Sequence, residues 1–479
     1  MDIAHELTVP VLVAMVVALH GPDPRDDDFL NFASGINLPA DLNTYHPFCR
    51  ALDAIASLCV SRPREQGFSV GFQIDQRNSQ LLASIADSQE VEQDTIDYLA
   101  NLWAVLRKHS DWHAGNRPKS VYCSGVSSGI PQSQGATALS RELVELVYVF
   151  TRDRHMNRWH KWWDPVDGHG LLGFARKFQQ KKGRYLEGTN RKFELLLCSL
   201  RIVVNCLRED RVDWGKVLGH MGLATDLSDG LLKGGDRGWC ENLARDIAAD
   251  TETPPFPVRR ALEKLTSHHR HIRALISFSH SSRLRLAFSL RMSIYAVPPP
   301  NPPGYIHLPI TTSSWQAHLE KVSADHGFHL CTHLAESLIN SLLSNHNSPS
   351  VPHLVHSECA LIAHYNHLRT SPGRYVPAFK YIGMSKPPCR PCYIWLSAFN
   401  NRRNGPRFCT RGTSGKWNFP WTPPVVEGLE ATLVEQECVA YLRYKGVLIS
   451  ESPESMWEED EEERAEQARW AEEALNEPF

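Results

Sequence analysis

The fold class that the sequence predicts is an α-helical N-terminal domain followed by a C-terminal α/β domain, and three observations carry it. Before Val297, apolar residues recur three and four apart more than they alternate, as on helices packed against a core. At Val297–Gly304, "VPPPNPPG" puts five prolines into eight residues, which can neither continue a helix nor pair as a central strand. After it, short apolar runs alternate with helical segments, the order that layers helices on a sheet. A chain of 479 residues has room for two or three domains. The expected division is a mostly helical part at 1–297, an α/β part at 305–450, and a tail at 451–479.

Composition bounds the class of protein. With 42% hydrophobic and 22% charged residues the chain reads as folded and soluble. Its longest apolar run, "LTVPVLVAMVVAL" (Leu7–Leu19), is too short for a membrane span. Asp2, His5 and Glu6 precede it where a signal peptide carries basic residues, so a core helix is expected. Twelve cysteines at irregular spacings suit reduced thiols in an intracellular protein, cytoplasmic or nuclear, with no disulfide framework. The tail holds twelve Asp and Glu against Arg464 and Arg469, a local balance of −10 that leaves +7 on the rest of a chain whose formal charge is −3. It reads as a solvated helix or a disordered end.

Along the first part, "SRELVELVYVFTRD" and "FELLLCSLRIVVNCL" have helical spacing, while "SGVSSGIPQSQGAT" (Ser124–Thr137) and "TPPFP" (Thr253–Pro257) read as breaks. Cys49, Cys59, Cys198 and Cys206 sit among apolar residues and read as buried thiols. Past the prolines, "SSWQAHLEKVSADHG" and "THLAESLINSLLSN" predict helices with Ser313 and Thr332 as N-caps. The strand "VPHLV" (Val351–Val355) leads into a helix over Ser357–Leu368, and "FKYIGMS" (Phe379–Ser385) into one over Arg390–Phe399. "RFCTRG" is a third candidate strand, and "EGLEATLVEQECVAYLRY" a last helix.

The chemistry concentrates at those two strand-to-helix junctions. In "SKPPCRPCYIWLSAF", Cys389 and Cys392 fall one turn apart where a helix opens, and the unpaired N–H groups there favour thiolates. Pro388 and Pro391 are tolerated in that position. The pair alone suits either a metal or a redox couple. In "HSECALIAHY", His356 and Glu358 occupy the other junction. Side by side in a parallel sheet, the junctions would bring both motifs to the carboxyl ends of neighbouring strands. One imidazole and two thiolates leave a fourth zinc position open, the pattern of a catalytic ion, and a structural site has no use for the extra carboxylate of Glu358. Cys359 supports a competing reading, in which "HSEC" and "CRPC" close a Cys3His site that only holds the fold. His318–Leu319–Glu320 repeats the H-x-E spacing inside a helix, where the two side chains face different ways. "HHRH" (His268–His271) and "HYNH" (His364–His367) lack a cysteine or carboxylate at useful spacing.

The pattern H-x-E followed by P-C-x-x-C is the signature of zinc nucleobase deaminases. The wording "VHSECALI … KYIGMSKPPCRPCYIWL … FCTRGTSGKWNFPWTPP" resembles the cytidine-deaminase-like superfamily, in particular its fungal, Orientia-toxin-type branch, over Leu330–Tyr444. The resemblance implies a three-layer α/β domain and Zn2+ held by His356, Cys389 and Cys392. It implies Glu358 as the catalytic acid–base residue in hydrolytic deamination of cytosine or adenine. That family's core places a β-hairpin ahead of the H-x-E helix, and here "VPHLV" is the one strand legible there, with a second expected in "GYIHLPITT" or a shortened sheet. A nucleic acid or nucleotide is the expected substrate partner, with no membrane partner. "RDRHMNRWHKWW" (Arg152–Trp163), "RKFQQKKGR" and the run from Arg259 to Arg291 mix cations with aromatics, as surfaces that hold phosphates and stack bases do. They read equally as helices with cationic outer faces whose tryptophans fill the core. Arg411, Lys416 and Trp417, just after the cysteine helix, are candidates for the pocket mouth. The other function class is a zinc-stabilised interaction module, or a deaminase fold without turnover.

Overall fold

The computed structural model describes residues 8–20, 42–62, 67–116, 134–163, 170–181, 187–233, 239–249, 255–282, 284–299, 304–345, 348–371, 375–402, 405–429 and 432–449. The acidic tail lies outside them, as do residues 124–133 of the Ser/Gly segment and 300–303 of the proline segment. Helices dominate the described residues around a small mixed sheet.

In chain order, α1 (Thr8–His20) and α2 (Leu42–Leu58) precede a hairpin of β1 (Phe68–Asp75) and β2 (Gln80–Asp87). A helical series follows: α3 (Gln93–Gly115), α4 (Gln134–Phe150), α5 (Arg152–Trp162), α6 (Leu171–Lys181), α7 (Glu187–Arg208), α8 (Trp214–Lys233), α9 (Trp239–Ala248), α10 (Val258–Ser279) and α11 (Arg285–Ser289). Then come β3 (Arg291–Ala296), β4 (Tyr305–His307), α12 (Thr312–His326), β5 (His329–Leu330), α13 (Thr332–Asn345) and β6 (Ser350–Pro352). The last elements are α14 (Ser357–Thr370), β7 (Gly383–Met384), α15 (Arg390–Asn400), α16 (Thr432–Tyr444) and β8 (Leu448–Ile449).

The main sheet has the order β3–β2–β1–β7. The hairpin is antiparallel from Phe68↔Asp87 to Asp75↔Gln80, and its turn is tied by the Asp75 carboxylate, which accepts from the N–H groups of Arg77 and Asn78 at 3.1 and 3.3 Å. β3 runs parallel to β2, and β7 antiparallel to β1 through Ser69↔Met384 and Val70↔Gly383. A parallel bridge from Tyr381 to Cys409 extends the edge, with the Ile382 N–H donating to the Cys409 carbonyl at 2.9 Å.

These pairings revise two expectations. A hairpin does pack against the H-x-E helix, and it comes from residues 68–87, so the sheet draws strands from both sides of the proline segment. "VPHLV" does not feed a parallel sheet. Val351 and Pro352, with Ser350 before them, pair antiparallel with Tyr305–His307 in a separate two-stranded ribbon. "GYIHL" thus does hold a strand, but one outside the main sheet. Two N-caps also move. Thr311, not Ser313, caps α12 by accepting from the Ser314 N–H at 3.2 Å, and Thr332 is already helical.

The sheet separates two apolar layers. Val70 and Phe72 of β1, with Leu81, Ala83 and Ile85 of β2, belong to the core beneath α2 and α3. Ser69 and Gly71 face α14 on the other side, where the Ser69 hydroxyl meets that of Ser357 at 2.9 Å. Gly71 is required there, because a Cβ would collide with the fully buried ring of Tyr365. Gly383 lets α2 approach equally closely, since a Cβ would run into the backbone of Leu52. The second core gathers α1, α12, α13, α14, α15 and α16. α1 is the core helix expected of its apolar run: Val13, Ala14, Met15 and Val16 are fully buried against α13 and α16, each Val or Met contributing about 1.5–3 kcal/mol. Among the described residues no helix is long and apolar enough to cross a membrane.

Candidate metal centre

Two helix N-termini converge on one point. His356 is the N-cap residue of α14, held extended at φ −69°, ψ 149°. Cys389 is the N-cap residue of α15 in a similar conformation, with Pro391 in the first turn where its missing N–H costs nothing. Cys392 follows one turn on. The Nδ1 of His356 lies 3.4 Å from the Cys389 Sγ and 3.2 Å from the Cys392 Sγ, and the two sulfurs are 3.4 Å apart. These three are the residues whose ligand atoms gather closely enough to hold a metal ion, among the described residues. Bonds of about 2.0–2.3 Å to a tetrahedral zinc would set such atoms roughly 3.5–3.8 Å apart, so a small adjustment seats the ion.

The surroundings suit a cation. Cys389 and Cys392 are buried, and burial pushes both thiols well above their usual value until something positive compensates. Burial also opposes the His356 imidazolium, yet the Cys389 sulfur, its hydrogen bond to the ring, Glu358 and the Pro420 carbonyl outweigh it and lift His356 to about 9. A ring nitrogen bonded to a backbone carbonyl is the usual support of a ligating histidine. The indole N–H of the fully buried Trp421 donates to the Cys392 Sγ at 3.2 Å. Trp421 was not singled out from the sequence. It stands in "NFPWTPP", where the indole N–H is a donor available to sulfur.

Glu358 sits in the first turn of α14, buried, and its carboxylate accepts from the Ser357 hydroxyl at 3.4 Å. Through Ser357 it is joined to Ser69 of the hairpin. Cys359 is fully buried, and its thiol is pushed up to about 11 by burial while bonding to Cys392. It lies outside the group of three, whose ligand atoms are all within 4.8 Å of one another.

The remaining candidates scatter. Trp417 packs in the core with its ring 6.0 Å from that of Tyr441, and Lys416 is exposed while its carbonyl accepts from the Arg390 N–H at 2.8 Å. Arg411 turns to the α2–α10 side of the sheet, where it acts on Asp53 and His271. His318 and Glu320 are exposed on α12. His364 stacks on Tyr295 at 5.0 Å, and His268 and His269 are buried. Of the cysteines read as buried, Cys49, Cys59 and Cys206 are, whereas Cys198 is exposed because it falls on the outer side of α7. Trp159 and Trp163 fill the core, and Trp162 is half-buried between Lys161 and Arg260.

A family model described as OTT_1508_deam-like deaminase matches residues 355–425. No curated protein and no solved structure matches the chain. The matched stretch contains the imidazole, the carboxylate and both thiols, so the part of the chain that gathers the candidate metal ligands is similar to a deaminase family, one of hydrolase type.

Proposed function

We propose that the chain is a zinc-dependent hydrolase that deaminates a cytosine or adenine base, in a polynucleotide rather than free. The observation that carries this reading is the buried group of His356, Cys389 and Cys392 with Glu358 in the first turn of the helix that His356 opens. One nitrogen and two sulfurs are a zinc donor set, and three protein ligands keep a position for water. Zinc held there would supply Lewis-acid activation of that water.

The chain's own residues manage the protons. The Glu358 carboxylate accepts a proton from the attacking water and delivers it to the ring nitrogen beside the amine-bearing carbon. The second water proton goes by the same carboxylate to the departing amine. A carbon–oxygen bond forms, the carbon–nitrogen bond breaks, ammonia leaves, and the carboxylate returns unchanged. Ser357 and Ser69 tether that carboxylate to the hairpin, and burial keeps bulk water from competing for its proton.

Helices on both faces of the sheet, with a hairpin under the H-x-E helix, support a cytidine-deaminase-like three-layer fold of the fungal, Orientia-toxin-type branch. On this reading the helices between β2 and β3 are an insertion into that fold. A polynucleotide substrate is supported by exposed Lys161 and Arg260, whose cations lie over the ring of Trp162. Buried reduced thiols suit an intracellular site of action, cytoplasmic or nuclear. The test is mass spectrometry of single-stranded DNA and RNA oligonucleotides, and of nucleosides, after incubation with the full chain. An amine-to-oxygen mass change at cytosine or adenine supports the proposal, and unchanged substrates with a zinc-loaded protein favour an interaction module.

A further inference from the structure

The two basic stretches on α5 and α10 meet. Arg154 and Arg158 are four apart on α5, while Lys264, His268 and His271 recur at four and three on α10, so each set shares one helix face. The faces oppose each other: Arg158 Nη1 donates to the Ser267 hydroxyl at 2.7 Å and lies 3.2 Å from the His268 Nδ1. The rings of His155 and His268 are 4.9 Å apart. Arg154 is fixed by donating to the Ser57 and Val60 carbonyls at the end of α2. Arg411 comes in from the sheet edge and acts on Lys264 and His271.

This is a gathering of like charge in a dry place. Arg154 is 7% exposed and His268 1%. The leading charged neighbours of Arg154, Lys264, His268 and His271 are themselves cations, and burial with mutual repulsion lowers every one of them, His271 to about 3. Asp53 faces Arg411 but is already engaged by the Tyr381 hydroxyl at 2.9 Å and the Met384 N–H at 2.8 Å. The Nε2 of His268 and the Nε of Arg411 are buried with no hydrogen-bond acceptor among the described residues. Buried donors left without an acceptor are costly, and guanidinium groups are the forks that bind phosphate oxygens in pairs.

We propose that the face shared by α5 and α10, closed by Arg411, is a binding site for a small phosphate-bearing anion, separate from the metal centre. Arg158 and Lys264 supply the charge, and the His268 Nε2 and Arg411 Nε supply donors with no acceptor among the described residues. A polynucleotide strand does not fit the geometry, because Arg154 and His268 are covered by the fold. Such an anion ties the helices between β2 and β3 to the segment that bridges Tyr381 at Cys409, so it acts as a structural ligand of the chain.

The experiment uses the full chain, purified in a buffer without phosphate or sulfate. Thermal unfolding is followed against inorganic phosphate and pyrophosphate, with sodium chloride at matched ionic strength as control. Binding of pyrophosphate is measured by calorimetry for the wild type, for Lys264→Gln on the exposed rim, and for Arg158→Gln. The expected result is a saturable rise in melting temperature, larger for pyrophosphate, with binding about tenfold weaker in Lys264→Gln. Lys264 is exposed, so that variant folds even if Arg158→Gln does not. A response no larger than that to sodium chloride overturns the proposal, as does an undiminished response in Lys264→Gln.

Discussion

The Nδ1 of His356 lies 3.2 Å from the Sγ of Cys392, across thirty-six positions of sequence, because α14 and α15 point their first turns at the same place. Neither residue is a ligand alone. The tertiary fold makes the site, and the metal in turn should hold the two helix ends together.

Removing a ligand should therefore remove the ion. Cys392→Ser is expected to lower bound zinc at least tenfold, read by elemental analysis of the purified chain. Trp421→Phe deletes the indole N–H that steadies the Cys392 sulfur, and is expected to weaken zinc about tenfold, in the range usual for such outer partners. Chelation should lower the melting temperature of the wild type and leave that of Cys392→Ser unmoved.

Cys359 separates an open site from a closed one. Its thiol bonds to Cys392 but is not in the ligand group. Cys359→Ser is expected to keep full zinc occupancy, with a stability loss of about 1–2 kcal/mol from placing a hydroxyl in an apolar slot. Loss of the ion in that variant would show that Cys359 is a ligand.

Packing of the H-x-E helix on the hairpin can be tested at Gly71. A methyl group there meets Tyr365, which is held on all sides. Gly71→Ala is expected to cost about 1–3 kcal/mol by denaturant unfolding, as over-packed cores do. Ser69→Ala, on the same face, leaves the space open and should cost less while slackening Glu358 through Ser357.

Acid should destabilise the fold through its buried histidines. Burial, then Arg273, lowers His269 to about 4, against the pull of Asp226. A group whose folded value lies below its unfolded one stabilises fully above the unfolded value, near pH 6.5, and loses that contribution as pH falls towards 4. Urea midpoints should fall across this window. His269→Gln should flatten the slope by up to one proton, about 1.4 kcal/mol per pH unit, and an unchanged slope would contradict the assignment.

The candidate metal site is legible in the sequence because each half of it is local. A histidine and a glutamate at one helix start, and two cysteines at another, keep their spacing whatever the rest does. The hairpin was harder. "FSVGFQID" alternates strictly, with Phe68, Val70, Phe72 and Ile74 on one side, but it stands among helices and pairs with Gly383 and Met384 three hundred positions later. Nothing local encodes such a contact. "VPHLV" is hard for the opposite reason: only its Val351 and Pro352 pair, in a half-exposed ribbon, and two residues carry too little pattern to say which strand they join. The cations of α5 and α10 could be counted in the sequence, but only the fold shows that they face each other.

Metal analysis coupled to an ammonia-release assay tests the central claim most directly, with wild type and Glu358→Ala measured on nucleosides and single-stranded oligonucleotides. One zinc per chain in both proteins is expected, with ammonia released by the wild type and reduced by about 10²-fold or more in the variant. Zinc-loaded wild type that releases no more ammonia than Glu358→Ala, on any cytosine- or adenine-bearing substrate, would contradict it.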